Sequence, residues 1–301
     1  MEKLAEALLI GLGNGSTIAL IAVGFVVIFK STGVVNFAQP ALMVAGGYLV
    51  SVFAVSRGMN FFLAVALAVL ATVVLGVFVE RLTMRPLVGE SAFTAAVVTV
   101  GVDIVVRNLV NRQIGPFIRP VGDPWGLKTV SFGAVDTQQR YLVMFGVMAV
   151  IIGALFTFFR RSRVGLAMRA TALDQEVAYV QGVNVGAMFT LAWVIAGALA
   201  AVGGTFVGTG SGIEQQSFIV AFKALPAIII GGLDSLGGAV VGGLLIGILE
   251  AVISTYQGNQ PGQVLGFLGS SFASISGFVL MLIVLMVRPY GLFGTKEVER
   301  V

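Results

Sequence analysis

The sequence predicts an all-α fold: a polytopic transmembrane helical bundle of eight to nine spans, with a short amphipathic helix on the cytoplasmic side. Three observations predict it. Of 301 residues, 57% are hydrophobic and only 11% are charged, whereas a soluble domain carries about 25% charged residues. That is too little polar surface to cover a water-facing exterior. The apolar residues also fall in runs close to the ~20 residues that cross a bilayer as a helix. Finally, the chain holds 40 glycines, and glycine is enriched in membrane helices because it lets backbones approach closely.

On that length scale the spans fall near 8–29, 34–56, 61–79, 91–110, 141–159, 186–208, 219–233, 236–254 and 266–287. The seventh is short and carries Lys223 and Pro226, so a broken or re-entrant helix is expected there. Orientation follows from the basic residues. Ten fall on one side of this map: Lys30, Arg81, Arg85, Arg160, Arg161, Arg163, Arg169, Arg288, Lys296 and Arg300. Seven fall on the other: Lys3, Arg57, Arg107, Arg112, Arg119, Lys128 and Arg140. The first side is read as cytoplasmic, chiefly on the dense Arg160–Arg169 cluster between two spans. Nine spans then put the N-terminus outside. MEKLAEALLI does not read as a signal peptide, since two acids flank Lys3 and no small-residue cleavage site precedes the first polar break. The interval 111–140 is the longest extramembrane segment and is too small for a catalytic domain.

Composition also excludes functions. The chain has no cysteine and no histidine, so disulfides, thiolate nucleophiles, histidine bases and histidine-rich metal sites are impossible. GxxxxGK[ST], HExxH and nucleophile-elbow motifs are absent, and so is any carboxylate pair at fixed spacing in a polar segment. No cofactor is expected on the chain itself. The basic residues form no aromatic-interleaved patch of the kind that binds nucleic acid.

Four features could carry function. Arg160–Gly182 is the one sizeable polar interval in the second half. Read as one helix, it places Leu166, Ala170, Leu173, Val177 and Val180 on a single stripe, with Arg169, Asp174, Gln175 and Glu176 off it. Gly165 can start such a helix and Gly182 can stop it in the left-handed conformation. The interval is then either a docking surface for a soluble partner or a basic loop that fixes topology. KSTGVVNFAQP, residues 30–40, sets Asn36 and Gln39 between two apolar runs, with Gly33 and Pro40 able to break a helix. It is either an unwound segment lining a path, whose polar groups must be satisfied within the protein or by substrate, or an ordinary turn. In residues 224–250, Gly238 with Gly242 and Gly243 with Gly247 form small-xxx-small pairs suited to close helix packing. Glu250 sits deep in that apolar run and Lys223 is a lone cation before it. They pair, face a water-filled path, or snorkel to an interface. Lastly, Asp103 and Arg107 are spaced for a helical ion pair, and Arg81 and Arg85 with Pro86 mark a turn.

The runs GSTIALIAVGFVVIFKSTGVVNFAQ (15–39), ERLTMRPL (80–87), SRVGLAMRATALDQEVAYVQGVN (162–184), KALPAIIIGGLDSLGGAVVGGLLIGILE (223–250) and RPYGLFG (288–294) resemble, in order and spacing, permeases of branched-chain amino acid ABC transporters of the LivH type. The likeness departs at Pro40 and Ala41, where that family has a small or polar residue and then an acid. It implies a single transmembrane permease domain over 1–301, paired with a second related permease. Two cytoplasmic ATPases that bind the ATP and an external substrate-binding protein complete the importer in a cell (inner) membrane. Carried onto this chain, it implies that Arg163, Gly165, Leu166, Arg169, Ala170, Leu173, Asp174, Val177 and Gly182 couple to the ATPases. Asn36 and Gln39 would lie near the translocation path, with Lys223 and Glu250 as the intramembrane candidates. The substrate would be a branched-chain or other neutral amino acid. A permease for urea or short amides is the alternative within the class, and a stand-alone channel or secondary transporter the alternative outside it.

Overall fold

The computed structural model describes residues 2–87, 91–132, 135–257 and 271–294. Helices dominate. They are α1 (Glu2–Thr32), α2 (Gln39–Val50), α3 (Phe61–Val79), α4 (Ala92–Ile114), α5 (Gln139–Arg161), α6 (Arg163–Leu173), α7 (Gln175–Val180), α8 (Val185–Gly208), α9 (Phe218–Phe222), α10 (Ala224–Gly231), α11 (Leu236–Tyr256) and α12 (Phe272–Val287). Among the described residues, seven helical stretches are long and apolar enough to span, and Phe218–Gly231 and Phe272–Val287 are shorter apolar ones. The chain is therefore a multi-pass membrane protein. At ~1.5 Å per residue, the 31-residue α1 is about 46 Å long, well beyond a ~30 Å hydrocarbon core. The start of the ninth expected span, 266–270, and the tail with Lys296 and Arg300 lie outside the described residues.

Short polar side chains start many of these helices. Asn60, Ser91, Ser162, Asp174, Asn184 and Ser235 each accept a hydrogen bond from a first-turn N–H. Each satisfies a donor that the helix itself cannot. Both α2 and α3 run on into wider π-helical turns, Ser51–Ser56 and Glu80–Met84.

The chain forms two compact units. One comprises 1–22, 125–148 and 222–301. In it α10, α11 and α12 pack on one another, and the first part of α1 lies against α11. Lipid offers no hydrophobic drive between helices, so close van der Waals approach has to hold them. A Cβ at Gly11 would meet Ile248 Cα at 2.6 Å, and one at Gly15 would meet Leu244 Cα at 2.9 Å. This unit also holds an antiparallel hairpin, β1 (Thr129–Phe132) with β2 (Val135–Gln138), in register Thr129 to Gln138. In β2 the exposed Asp136 alternates with the buried Thr137, the period-2 pattern of a strand.

The other unit comprises 23–124 and 149–221. Here α2 is central, packed on α3, α4 and α8, and α3 packs on α8. The α2–α8 contact is backbone-close: a Cβ on Gly204 would fall on the Met43 carbonyl, and Gly46 lies over Ala201. Phe25, Leu42, Met43 and Trp193 form its buried core. The hairpin α6–α7 rests on α8.

Candidate functional site

The polar interval 160–182 is not one helix. It breaks at Asp174, which is extended (φ −158°, ψ 115°) and caps α7 by accepting from Val177 N at 2.9 Å. A side chain that caps the next helix competes with continuing the previous one. Likewise Ser162, not Gly165, starts α6, accepting from Gly165 N at 2.8 Å. Gly165 serves a different need: a Cβ there would meet Phe159 Cα at 2.7 Å, so only glycine lets α6 fold back on α5. Gly182 does end α7 in the left-handed region (φ +84°), with Val183 N donating to Ala178 O at 3.0 Å.

Despite the break, the two helices keep one inner and one outer face. Gly165, Met168, Thr171 and Ala178 are buried. Leu166, Leu173, Val177 and Val180 are exposed, Leu173 at 89% and Val180 at 81%. Ala170 is half-buried, and Arg163, Arg169 and Asp174 are exposed. An apolar row rimmed by charge on a capped, seated helix pair is a surface that a protein partner can cover.

The break at residues 33–38 starts at an exposed Gly33 and then turns inward, with Val34, Asn36 and Ala38 buried. Gly33 takes φ +71°, which a side chain would strain. Asn36 and Gln39 have no exposure. Asn36 Oδ1 accepts from Ala38 N at 3.0 Å, and Gln39 Nε2 donates to Ala196 O on α8 at 3.2 Å. Among the described residues, Asn36 Nδ2 and Gln39 Oε1 have no partner. A Cβ on Gly24 would collide with the Gln39 amide, so that glycine makes room for it. Unpaired amide atoms in a buried position are costly.

The helix of the seventh span is indeed divided, with Lys223 standing between α9 and α10. Lys223 Nζ donates to Glu250 Oε2 at 2.8 Å, with side-chain exposures of 20% and 16%. Glu250 Oε1 has no partner among the described residues. Pairing is thus the arrangement adopted, rather than two chains snorkelling apart. The four glycines of α11 face two ways. Gly238 and Gly242 abut Gly231 and the Ala227 carbonyl of α10, whereas Gly243 and Gly247 abut Ala19 and Gly15 of α1.

Asp103 and Arg107 form the expected i,i+4 pair at 2.9 Å, and the guanidinium also stacks 4.1 Å over Phe218. One acid was missed as a site. Glu80, read from sequence as part of a cytoplasmic turn, is 1% exposed. It accepts from Thr190 Oγ1 at 3.0 Å and lies 3.7 Å from Arg85 Nε. Its proximity to Arg85 in sequence was the only available hint, because the burial comes from α3 packing on α8.

A family model described as branched-chain amino acid transport system / permease component matches residues 7–288. The high-affinity branched-chain amino acid transport system permease protein BraD of Pseudomonas aeruginosa is 30% identical, covering 98% of this chain and 97% of the relative. LivH of Escherichia coli K12, of the same description, is 32% identical over 97% and 96%. More distantly, the fructose import permease protein FruF of Bifidobacterium longum is 22% identical over 84% and 71%. This chain belongs to the family of branched-chain amino acid transport system permease components.

Proposed function

We propose that the chain is one permease of a binding-protein-dependent ABC importer for branched-chain or other neutral amino acids in the cell's inner membrane. A second, related permease completes the pore, and an external binding protein delivers the substrate. Two cytoplasmic ATPases bind and hydrolyse the ATP, because this chain carries no phosphate-loop motif. The observation that carries the reading is the exposed Leu166–Leu173–Val177–Val180 row on the capped α6–α7 pair. ATP-driven closure of the ATPases would push on this pair, which rests on α8, and α8 holds Gln39. That path links the motor to the break beside α2. The family match and the sequences of BraD and LivH support the substrate class.

The test is co-purification. Leu173→Asp with Val180→Asp should cut recovery of the ATPases with the permease at least tenfold while leaving membrane insertion intact. Unchanged recovery would overturn the assignment of the docking surface. The Lys223–Glu250 pair favours a second reading, a secondary transporter working through intramembrane charge. Uptake that persists in ATP-depleted vesicles would select it.

A further inference from the structure

A cavity of about 220 Å³ lies in the unit built on α2, α3, α4 and α8. Its wall combines Glu80, Gln175, Val34, Phe189 and Trp193. Three features separate it from a packing defect. First, it holds a buried carboxylate with unused capacity. Glu80 has about four acceptor positions, of which the Thr190 hydroxyl takes one at 3.0 Å. Arg85 Nε at 3.7 Å from Oε1 is an ion pair but too long for a hydrogen bond. Second, a donor stands idle: Trp193 is fully buried and its indole N–H has no partner among the described residues. Buried polar groups are nearly always paired, so each exception calls for an occupant. Third, Glu80 opens a π-helical turn, a distortion that recurs at functional positions in helices.

We propose that this cavity binds a small solute carrying an ammonium group on an apolar body. In terms of the function proposed above, on which the identification rests, that solute is the transported amino acid on its way through the permease. Glu80 takes the ammonium in a charge-assisted hydrogen bond. Val34, Phe189 and Trp193 enclose the aliphatic side chain. The Trp193 N–H and the Gln175 amide offer donors for the carboxylate. The volume is below the ~300 Å³ at which drug-sized pockets begin, so it selects for short side chains. Gln175 is the first residue of α7, so the pocket wall includes the segment assigned to the ATPases.

The test uses the assembled transporter in lipid nanodiscs without its binding protein. Three radiolabelled probes are equilibrated with it: leucine, isoamylamine (the ammonium and side chain without the carboxylate) and isovalerate (the carboxylate without the ammonium). Leucine and isoamylamine are expected to bind and isovalerate not to. Glu80→Gln should weaken both binders at least tenfold, with Glu2→Gln, at the exposed start of α1, as the unaffected control. Should Glu80→Gln fail to assemble, Ala95→Leu fills the cavity from α4 without removing a polar group and should produce the same loss. Isoamylamine binding that depends on Glu80, with leucine failing to bind, would uphold the ammonium site and overturn the substrate reading. If neither amine binds the native complex, or binding survives in the variants, the site itself is overturned.

Discussion

Neutralising Lys223 alone should be markedly more damaging than neutralising it together with Glu250. The two charges meet at 2.8 Å with about a fifth of each side chain exposed. At an effective dielectric constant near 20, that distance corresponds to an attraction of about 6 kcal/mol before desolvation is subtracted. Removing one partner of a buried pair costs ~3–5 kcal/mol, because an uncompensated charge remains, whereas removing both is often close to neutral. Scaled for the residual exposure, Lys223→Met or Glu250→Gln should each destabilise by about 2–3 kcal/mol. The double variant should lose less than ~1 kcal/mol. The assay is a double-mutant cycle on thermal unfolding of the purified transporter, read at one detergent and lipid composition. At ~2 °C per kcal/mol for a chain of this size, the single variants should melt about 4–6 °C low and the double within about 2 °C of the native protein. Additive losses, with a coupling below ~0.5 kcal/mol, would refute a pair that stabilises through mutual neutralisation.

Four further outcomes are expected. Gly242→Ala places a methyl against the Ala227 carbonyl and should destabilise by roughly 1–3 kcal/mol through overpacking, seen as a lower melting temperature. Asp174→Ala removes the α7 cap and should cost about 1 kcal/mol locally, read as faster amide exchange at 177–180 and weaker ATPase attachment. Gly182→Val forces a branched side chain to φ +84° at a cost of ~1–3 kcal/mol, and should likewise loosen the segment in amide exchange. Gln39→Leu removes a buried amide whose Oε1 is already unpartnered. Melting should therefore move by less than about 2 °C while initial uptake of leucine falls at least tenfold.

The spans were legible because bilayer thickness imposes a fixed length on apolar runs. Both 61–79 and Phe61–Val79 follow from that rule. The division of the seventh span was legible from a lone Lys223 in a short run. The roles of the α11 glycines as contact points were legible from spacing, but which helix each pair would meet was not, since that depends on tertiary arrangement. The break at Asp174 left a signal that a stripe-based reading overrode. Asp-Gln-Glu is an N-cap followed by an acidic first turn, while the apolar stripe runs smoothly through it. The hairpin at 129–138 was obscured by its short, weakly apolar strands. Glu80 and Trp193 could not be joined from sequence: they stand 113 positions apart, and the cavity between them exists only because α3 and α8 pack together.

The measurement that bears most directly on the central claim is isolation of this chain from its native membrane in mild detergent, with every co-purifying subunit identified and counted. Two phosphate-loop ATPases and a second, similar permease are expected in fixed ratio. The Leu173→Asp, Val180→Asp chain is expected to keep the second permease and lose the ATPases. A chain that emerges alone or only with copies of itself, or a variant that retains its ATPases, would contradict the central claim.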